Sequence, residues 1–314
     1  MASVLTAVRF GSVPLSSAQV LGALSGTGDP IHREIVVQLR LPRALLAVVV
    51  GGGLALAGAT LQALLRNPLA EPYILGISGG AAAAAVLTLG LGLVAAGSWV
   101  LPAAAFVGAL VAIALVFGVA TAVDHSLDVR VLLLAGVVVG TFFTGVIALV
   151  LALSDAPAVR GAMLWMMGSL GGAQWRTVLV GATYTLPAGL VLIALARSLD
   201  LMAIGEETAS FLGTDVERVK RTALGVASLV TAAGVGMAGV IGFVGLIVPH
   251  AVRLSVGSAH RKLLPLSFLA GAVFLVLADL IARVALAPTE IPIGVVTAFV
   301  GVPLFLLLLR RSHQ

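Results

Sequence analysis

Residues 72–123 contain no charged side chain. In a water-soluble domain about one residue in four is charged, so a run of this length has no place in a fold surrounded by water. Further uncharged runs cover 44–65, 131–154 and 177–196. Each reaches the roughly 20 apolar residues that a helix needs to cross the hydrocarbon core. The whole chain is 60% hydrophobic and 10% charged, with a mean hydropathy of +1.18. A transmembrane barrel would alternate apolar and polar residues along short strands, whereas these runs are continuously Ala-, Leu- and Gly-rich. The expected fold is therefore all-α, a polytopic transmembrane bundle. Spans are expected at 44–64, 74–95, 99–122, 131–153, 176–196, 222–240, 241–256, 264–285 and 293–309, about nine in all.

One polar stretch interrupts this pattern. Residues 197–221 carry Asp200, Glu206, Glu207, Asp215, Glu217, Arg218 and Lys220, too many charges for the bilayer and enough for one or two surface helices. The chain reads as one transmembrane domain, 1–314, with 197–221 as a segment within it.

Short cytoplasmic loops carry an excess of Lys and Arg. Assigning alternate loops to the two sides puts eleven of the 18 on one side: Arg66, Arg130, Arg197, Arg218, Lys220, Arg221, Arg253, Arg261, Lys262, Arg310 and Arg311. That side is taken as cytoplasmic, together with the C-terminus. The other seven, Arg9, Arg33, Arg40, Arg43, Arg160, Arg176 and Arg283, then face outward. Because the cations sit at the ends of apolar runs and not in a solvated patch, the sequence pI near 10.7 reports topology and not nucleic-acid binding. Cysteine is absent, which excludes disulfides and thiolate chemistry. Met1 to Val8 has no basic n-region and reads as no removable targeting segment.

Within the spans, Gly51, Gly52, Gly53, Gly58, Gly136 and Gly140 stand at intervals that let helix backbones approach. Trp99, Trp165 and Trp175 fall near span ends, as interfacial anchors do. Two segments break regular helix. The first runs through Asn67 and Pro68 to Gly76, Ser78, Gly79 and Gly80; the second contains Pro249, which frees a carbonyl inside an apolar stretch. Irregular backbone at membrane depth persists only where protein or a water-filled path satisfies it, so both segments are candidates for lining a pathway or acting as hinges. A simple re-entrant turn is the competing reading of the first.

Ionisable residues in the spans are few. Asp279 and Arg283 stand four apart, as an intrahelical pair does. His250 has no second ligand at i+4 and reads as a structural hydrogen-bonding residue; no metal site is expected. There is no G-x-x-x-x-G-K-[ST], H-E-x-x-H or G-x-S-x-G, so no catalytic residue is assigned and any ATP must be hydrolysed by another chain. In the polar stretch, Glu206 and Glu207 open a short helix that Gly213 can end. Its spacing alone fits either an ordinary solvated loop or a lever.

The motifs R-L-P-R (Arg40–Arg43), R-N-P-L-A-E-P (Arg66–Pro72), W-M-M-G-S-L (Trp165–Leu170), A-I-G-E-E-T-A-S-F-L-G (Ala203–Gly213), G-F-V-G-L-I-V-P-H-A-V-R (Gly242–Arg253), A-D-L-I-A-R (Ala278–Arg283) and E-I-P-I-G-V-V-T-A (Glu290–Ala298) occur in this order. Together they give the chain a resemblance to the FecCD-type ABC permeases for iron siderophores, haem and cobalamin, covering it from Gly11 onward. The resemblance implies a type II importer permease in the bacterial cytoplasmic membrane, working by alternating access. Its implied partners are a second permease copy, two cytoplasmic ATPase subunits that carry ATP and Mg, and a periplasmic or lipid-anchored binding protein. The permease itself would bind no cofactor.

On the same resemblance, Gly205, Glu206, Glu207, Ala209, Leu212 and Gly213 match the family's ATPase-coupling segment. Arg43 and Arg283 match arginines that meet acidic residues of the binding protein. The family usually has ten helices, with one before the stretch Gly11–Ser16; this chain starts where that helix should end, which implies nine spans or a late start. A stand-alone secondary transporter would need embedded carboxylates for ion coupling, and Asp279 is the single candidate, with Arg283 beside it. A membrane scaffold would not need the two broken segments. The cargo is expected to be an iron chelate, siderophore or haem, with cobalamin the alternative.

Overall fold

The computed structural model describes residues 2–11, 13–123 and 127–312, with the side chains of 309–312 left aside. Ser12, and the side chains of Arg310 and Arg311 used in the charge count, therefore lie outside the described residues. Every regular element among the described residues is helical. In chain order these are α1 (Ala2–Arg9), α2 (Ser17–Ser25), α3 (Pro30–Arg33), a π-helical segment (Glu34–Arg40), α4 (Leu41–Leu64), α5 (Ile77–Gly90), α6 (Val100–Val123), α7 (Val129–Leu153), α8 (Ala156–Met166), α9 (Trp175–Ala194), α10 (Ala196–Ile204), α11 (Glu206–Phe211), α12 (Val216–Ala238), α13 (Val244–Val256), α14 (His260–Val284) and α15 (Ile293–Ser312).

Among the described residues, six helices are long and apolar enough to cross a membrane, and α5, α13 and α15 are shorter apolar helices at the other three expected spans. The first differs in extent. From Pro30 to Leu64 the chain is helical without a break, 35 residues, so Arg40 and Arg43 lie inside a helix and not in the loop before one. Pro42 is tolerated because it stands in the first turn of α4, where its missing N–H would be an orphan anyway.

α4 is the hub: 89% of its apolar window is buried, against 22% for α7. Close crossings at glycine explain how a helix is so fully surrounded. A Cβ on Gly51 would lie 2.4 Å from the Gly271 carbonyl oxygen on α14, and one on Gly58 would lie 2.0 Å from that of Gly245 on α13. A matching pair, Gly80 and Gly108, brings α5 against α6, with a Cβ on either falling 2.3 Å from the other's oxygen. The expected close-packing role of Gly51, Gly58 and Gly136 is what the structure shows; Gly140 is looser, 3.9 Å from the Gly76 Cα.

Candidate functional site

Arg43 and Arg66 stand near opposite ends of α4, about 34 Å apart at 1.5 Å per residue, and each end carries its own polar cluster. At the Arg43 end the guanidinium forms a fork on Glu290, Nη1 to Oε1 and Nη2 to Oε2 both at 2.9 Å, while Nε donates to Asp279 Oδ1 at 2.9 Å. Asp279, 1% exposed, also has Arg283 Nε 3.0 Å from Oδ2, so the expected i,i+4 pair is present and Arg43 is its third member. A buried carboxylate is tolerable here because two cations flank it.

Arg283 also has partners that the sequence did not suggest. It is 7% exposed, and its Nη2 donates to the Ala7 carbonyl at 3.1 Å and Nη1 to that of Phe10 at 3.4 Å. Arg40 reaches the same place, donating to the Val8 and Arg9 carbonyls at 3.0 and 2.8 Å and to that of Val13. The last carbonyls of a helix have no partner within it and carry the negative end of its dipole. Two buried arginines therefore cap the C-terminus of α1. Arg40, Arg43, Arg283 and the half-exposed Glu290 all border a cleft of about 260 Å³ at this end.

The two broken segments are stitched to one another on the Arg66 side of the bundle. Pro249 cannot donate to the carbonyl four residues back, which is that of Gly245. Gln62 Nε2 takes that carbonyl at 3.3 Å, along with those of Leu246 at 3.1 Å and Ala70 at 3.3 Å, and Gln62 Oε1 accepts from Arg253 Nη2 at 3.0 Å. Gly58 and Gln62 lie one turn apart on α4, so the close crossing and the clasp fall on the same face. Glu71 Oε1 accepts the backbone N–H of Phe243 at 2.7 Å, and Tyr73 Oη donates to the Ile241 carbonyl at 3.0 Å. Burial pushes the Glu71 carboxyl above the usual range, with the Phe243 bond opposing.

Of the expected hinge residues, Pro249 is buried inside a continuous α13 and is part of this junction. Gly76 ends the 3-10 turn Pro72–Leu75 at φ +73° and starts α5, a left-handed conformation that favours glycine. Gly79 faces Phe143 and Gly80 makes the α6 crossing, so both act in packing. Asn67 closes the end of α4, its N–H donating to the Gln62 carbonyl and its Oδ1 accepting from Leu69. Pro68 borders a cleft of about 580 Å³ with Arg66, Asp200, Arg253 and His260, and Ser78 is half-buried near the start of α5. For His250, the expected hydrogen bonds are not found: the ring is buried and neither nitrogen has a partner among the described residues.

At the Arg66 end, residues 197–221 form α10, α11 and the start of α12. Gly205, at φ +156°, joins α10 to α11, and Gly213, at φ +84°, follows α11. Glu206 is bridged by Arg66 at 3.0 Å and by Lys220 at 2.6 Å, and Ala209 is buried, so the segment is anchored to the bundle. Glu207 points to solvent, while Phe211 is 90% and Leu212 61% exposed. Asp200 accepts the backbone N–H of His260 at 2.9 Å, tying α10 to α14. The anchored short helix thus presents an exposed apolar pair.

Between these ends, the 240–243 connection, the end of α8 and one face of α15 border an apolar groove of about 640 Å³. Met166, Met167, Val240, Phe243, Val295 and Phe299 line it, and no charged side chain does. The sequence singled out neither Gln62, Tyr73 nor Phe211, and marked Lys220 and Arg253 only as charges. Gln62 carried a signal, a polar side chain within an apolar span; Phe211 carried none, because only its exposure distinguishes it from a core residue.

A polytopic helical bundle with re-entrant junctions and an anchored contact helix, but no ATP-binding motif, is the architecture of a transporter's permease subunit. The profile of the FecCD transport family matches residues 1–311, and the chain belongs to that family of ABC importer permeases. The chain is 48% identical to the cobalamin import system permease protein BtuC of Halobacterium salinarum, over 90% of this chain and 75% of that one. It is 40% identical to the hemin transport system permease protein HmuU of Yersinia pestis, over 99% and 92%. A solved transporter assigned to the metal-chelate ABC type, in an inward-facing conformation, superposes with a TM-score of 0.89 at 31% identity, covering 99% of this chain and 96% of that one.

Proposed function

We propose that this permease imports a bulky metallated macrocycle, haem or cobalamin, ahead of an open-chain ferric siderophore. The apolar groove beside Phe243 and Phe299 carries this reading, since it offers a wide face without charged ligands where a small hydrated ion would need oxygen donors. In the proposed assembly two copies of the chain enclose the path in a bacterial cytoplasmic membrane. A binding protein docks outside against Arg43 and Glu290, and two ATPase subunits, which hold ATP and Mg, dock inside on α11. The C-terminus then faces the cytoplasm. Closure of the ATPases pushes Phe211 and Leu212, and the Arg66–Glu206–Lys220 anchor passes the motion to α4 and α12.

Uptake into proteoliposomes holding the assembled transporter tests the cargo. ATP-dependent accumulation of haem or cobalamin is expected, and accumulation of a ferric siderophore alone would overturn the assignment. Reversing Glu206 and Glu207 to Lys tests the coupling: transport-linked ATP hydrolysis is expected to collapse, and unchanged hydrolysis would remove α11 from that role.

A further inference from the structure

We propose that the cleft where α6, α9 and α12 meet is a binding site for one acyl chain of an anionic phospholipid, with Arg176 holding its phosphate. α6 and α9 both start at the Arg43 end of the bundle, and each gives the cleft a single face. Trp99, Pro102 and Phe106 follow one another by a turn on one side, and Val180 and Tyr184 do so on the other, with Arg176 one turn before Val180 and stacked on Trp99. Gly236 forms the floor; a Cβ there would lie 3.0 Å from the Pro102 carbonyl oxygen and 3.3 Å from the Phe106 Cβ, so the absent side chain leaves the slot open. The Phe106 and Tyr184 rings, 5.5 Å apart, close its lower end about 10 Å below Trp99.

The slot, of about 170 Å³, is apolar, and at Trp99 it joins a second cavity of about 370 Å³ that includes Ser98, Ser169 and Gln174. Apolar below and polar above is the profile of a lipid at the interface, the depth at which tryptophan anchors. A cation stands beside Trp99. The Arg176 guanidinium stacks 5.0 Å from the Trp99 ring centroid, and no described carboxylate forms an ion pair with it. Exposed Leu179, Leu186 and Leu190 on α9 mark the surrounding surface as lipid-facing. A stacked arginine with no carboxylate, at the top of an acyl-sized slot, selects an anionic headgroup over a zwitterionic one.

The test is native mass spectrometry of the purified full-length chain, titrated with phosphatidylglycerol or with phosphatidylcholine of the same acyl chains. The unmodified chain is expected to retain phosphatidylglycerol about fivefold more tightly, the size of one arginine–headgroup attraction. Arg176→Gln should bring the two lipids to parity, and Ala103→Trp, at an exposed position bordering the slot, should weaken both without lowering the melting temperature. Equal retention by the unmodified chain, a preference that survives Arg176→Gln, or undiminished binding to Ala103→Trp would each overturn the proposal. So would glycerol phosphate binding as tightly as the whole lipid, or a second permease copy filling the cleft in its place.

Discussion

The Glu71 carboxylate accepts the backbone N–H of Phe243 at 2.7 Å, joining two segments 172 residues apart in the chain. Phe243 has φ +70°, a conformation that costs a side-chain-bearing residue about 1–2 kcal/mol, and it forms part of the apolar groove. A hydrogen bond to a charged acceptor is worth about 1.5–3 kcal/mol, enough to offset that strain. Glu71→Ala should therefore lower thermal stability and widen the range of substrates that stimulate ATP hydrolysis, whereas Glu71→Gln, which keeps an acceptor oxygen, should lose less. Equal melting temperatures for the two variants would count against this role.

Glu71 also sets a pH dependence. Its carboxyl is raised above 4.5 by burial, so the folded chain keeps this proton to higher pH than the unfolded one. The stability from protonated Glu71 is fully present below about 4.5 and is lost as pH rises through the raised folded value. The melting-temperature difference, wild type minus Glu71→Gln, should fall across that window and be flat on either side. A difference that does not change with pH would show that Glu71 does not titrate in it.

Arg283 holds the end of α1 while Arg43 forks onto the half-exposed Glu290, so Arg283→Ala and Arg43→Glu should separate. Arg283→Ala leaves the Ala7 and Phe10 carbonyls uncapped and removes one of the two cations around buried Asp279. The cost is about 3–5 kcal/mol, read as a lower melting temperature and faster proteolysis within residues 2–9. Arg43→Glu should in addition weaken capture of the binding protein, measured by surface binding to nanodisc-embedded transporter. Equal loss of capture in both variants would return Arg283 to the docking surface.

Phe211 is exposed while Glu206 is tied to Arg66 and Lys220, so their substitutions should also differ. Phe211→Ser should leave the permease's melting temperature within about 0.5 kcal/mol of stability while weakening ATPase-subunit binding by about 2 kcal/mol, as an interface anchor does. Glu206→Ala should lower both. Retained affinity in Phe211→Ser would place the contact elsewhere.

The backbone crossings admit no added carbon. Gly80→Ala would set a Cβ 2.3 Å from the Gly108 oxygen and must push α5 from α6, at about 1–3 kcal/mol of overpacking. Gly118→Ala, where nothing lies within 4 Å, is the control expected to melt like the parent.

Much of this molecule is legible in its order of residues. The uncharged run 72–123 had no place in a water-soluble fold and holds α5 and α6, and the charges of 197–221 were too many for a span. Glycine spacing announced close packing, and Pro249 announced a freed carbonyl; each follows from local stereochemistry that travels with the residue. Partners could not be read the same way. That the freed carbonyl is met by Gln62, from 183 residues away, depends on where α4 passes α13.

The same contrast holds for the arginines. Sequence alone determined that Arg40, Arg43 and Arg283 gather at one end of the bundle, because apolar span lengths and alternating loops fix which end each residue reaches. Only the tertiary structure decided what they do there. All three border the cleft with Glu290, but Arg43 forks onto the Glu290 carboxylate whereas Arg40 and Arg283 hold carbonyls at the end of α1. A guanidinium's role is set by which unpaired acceptors come within about 3 Å of it, and that is a property of packed helices and not of the helix that bears it.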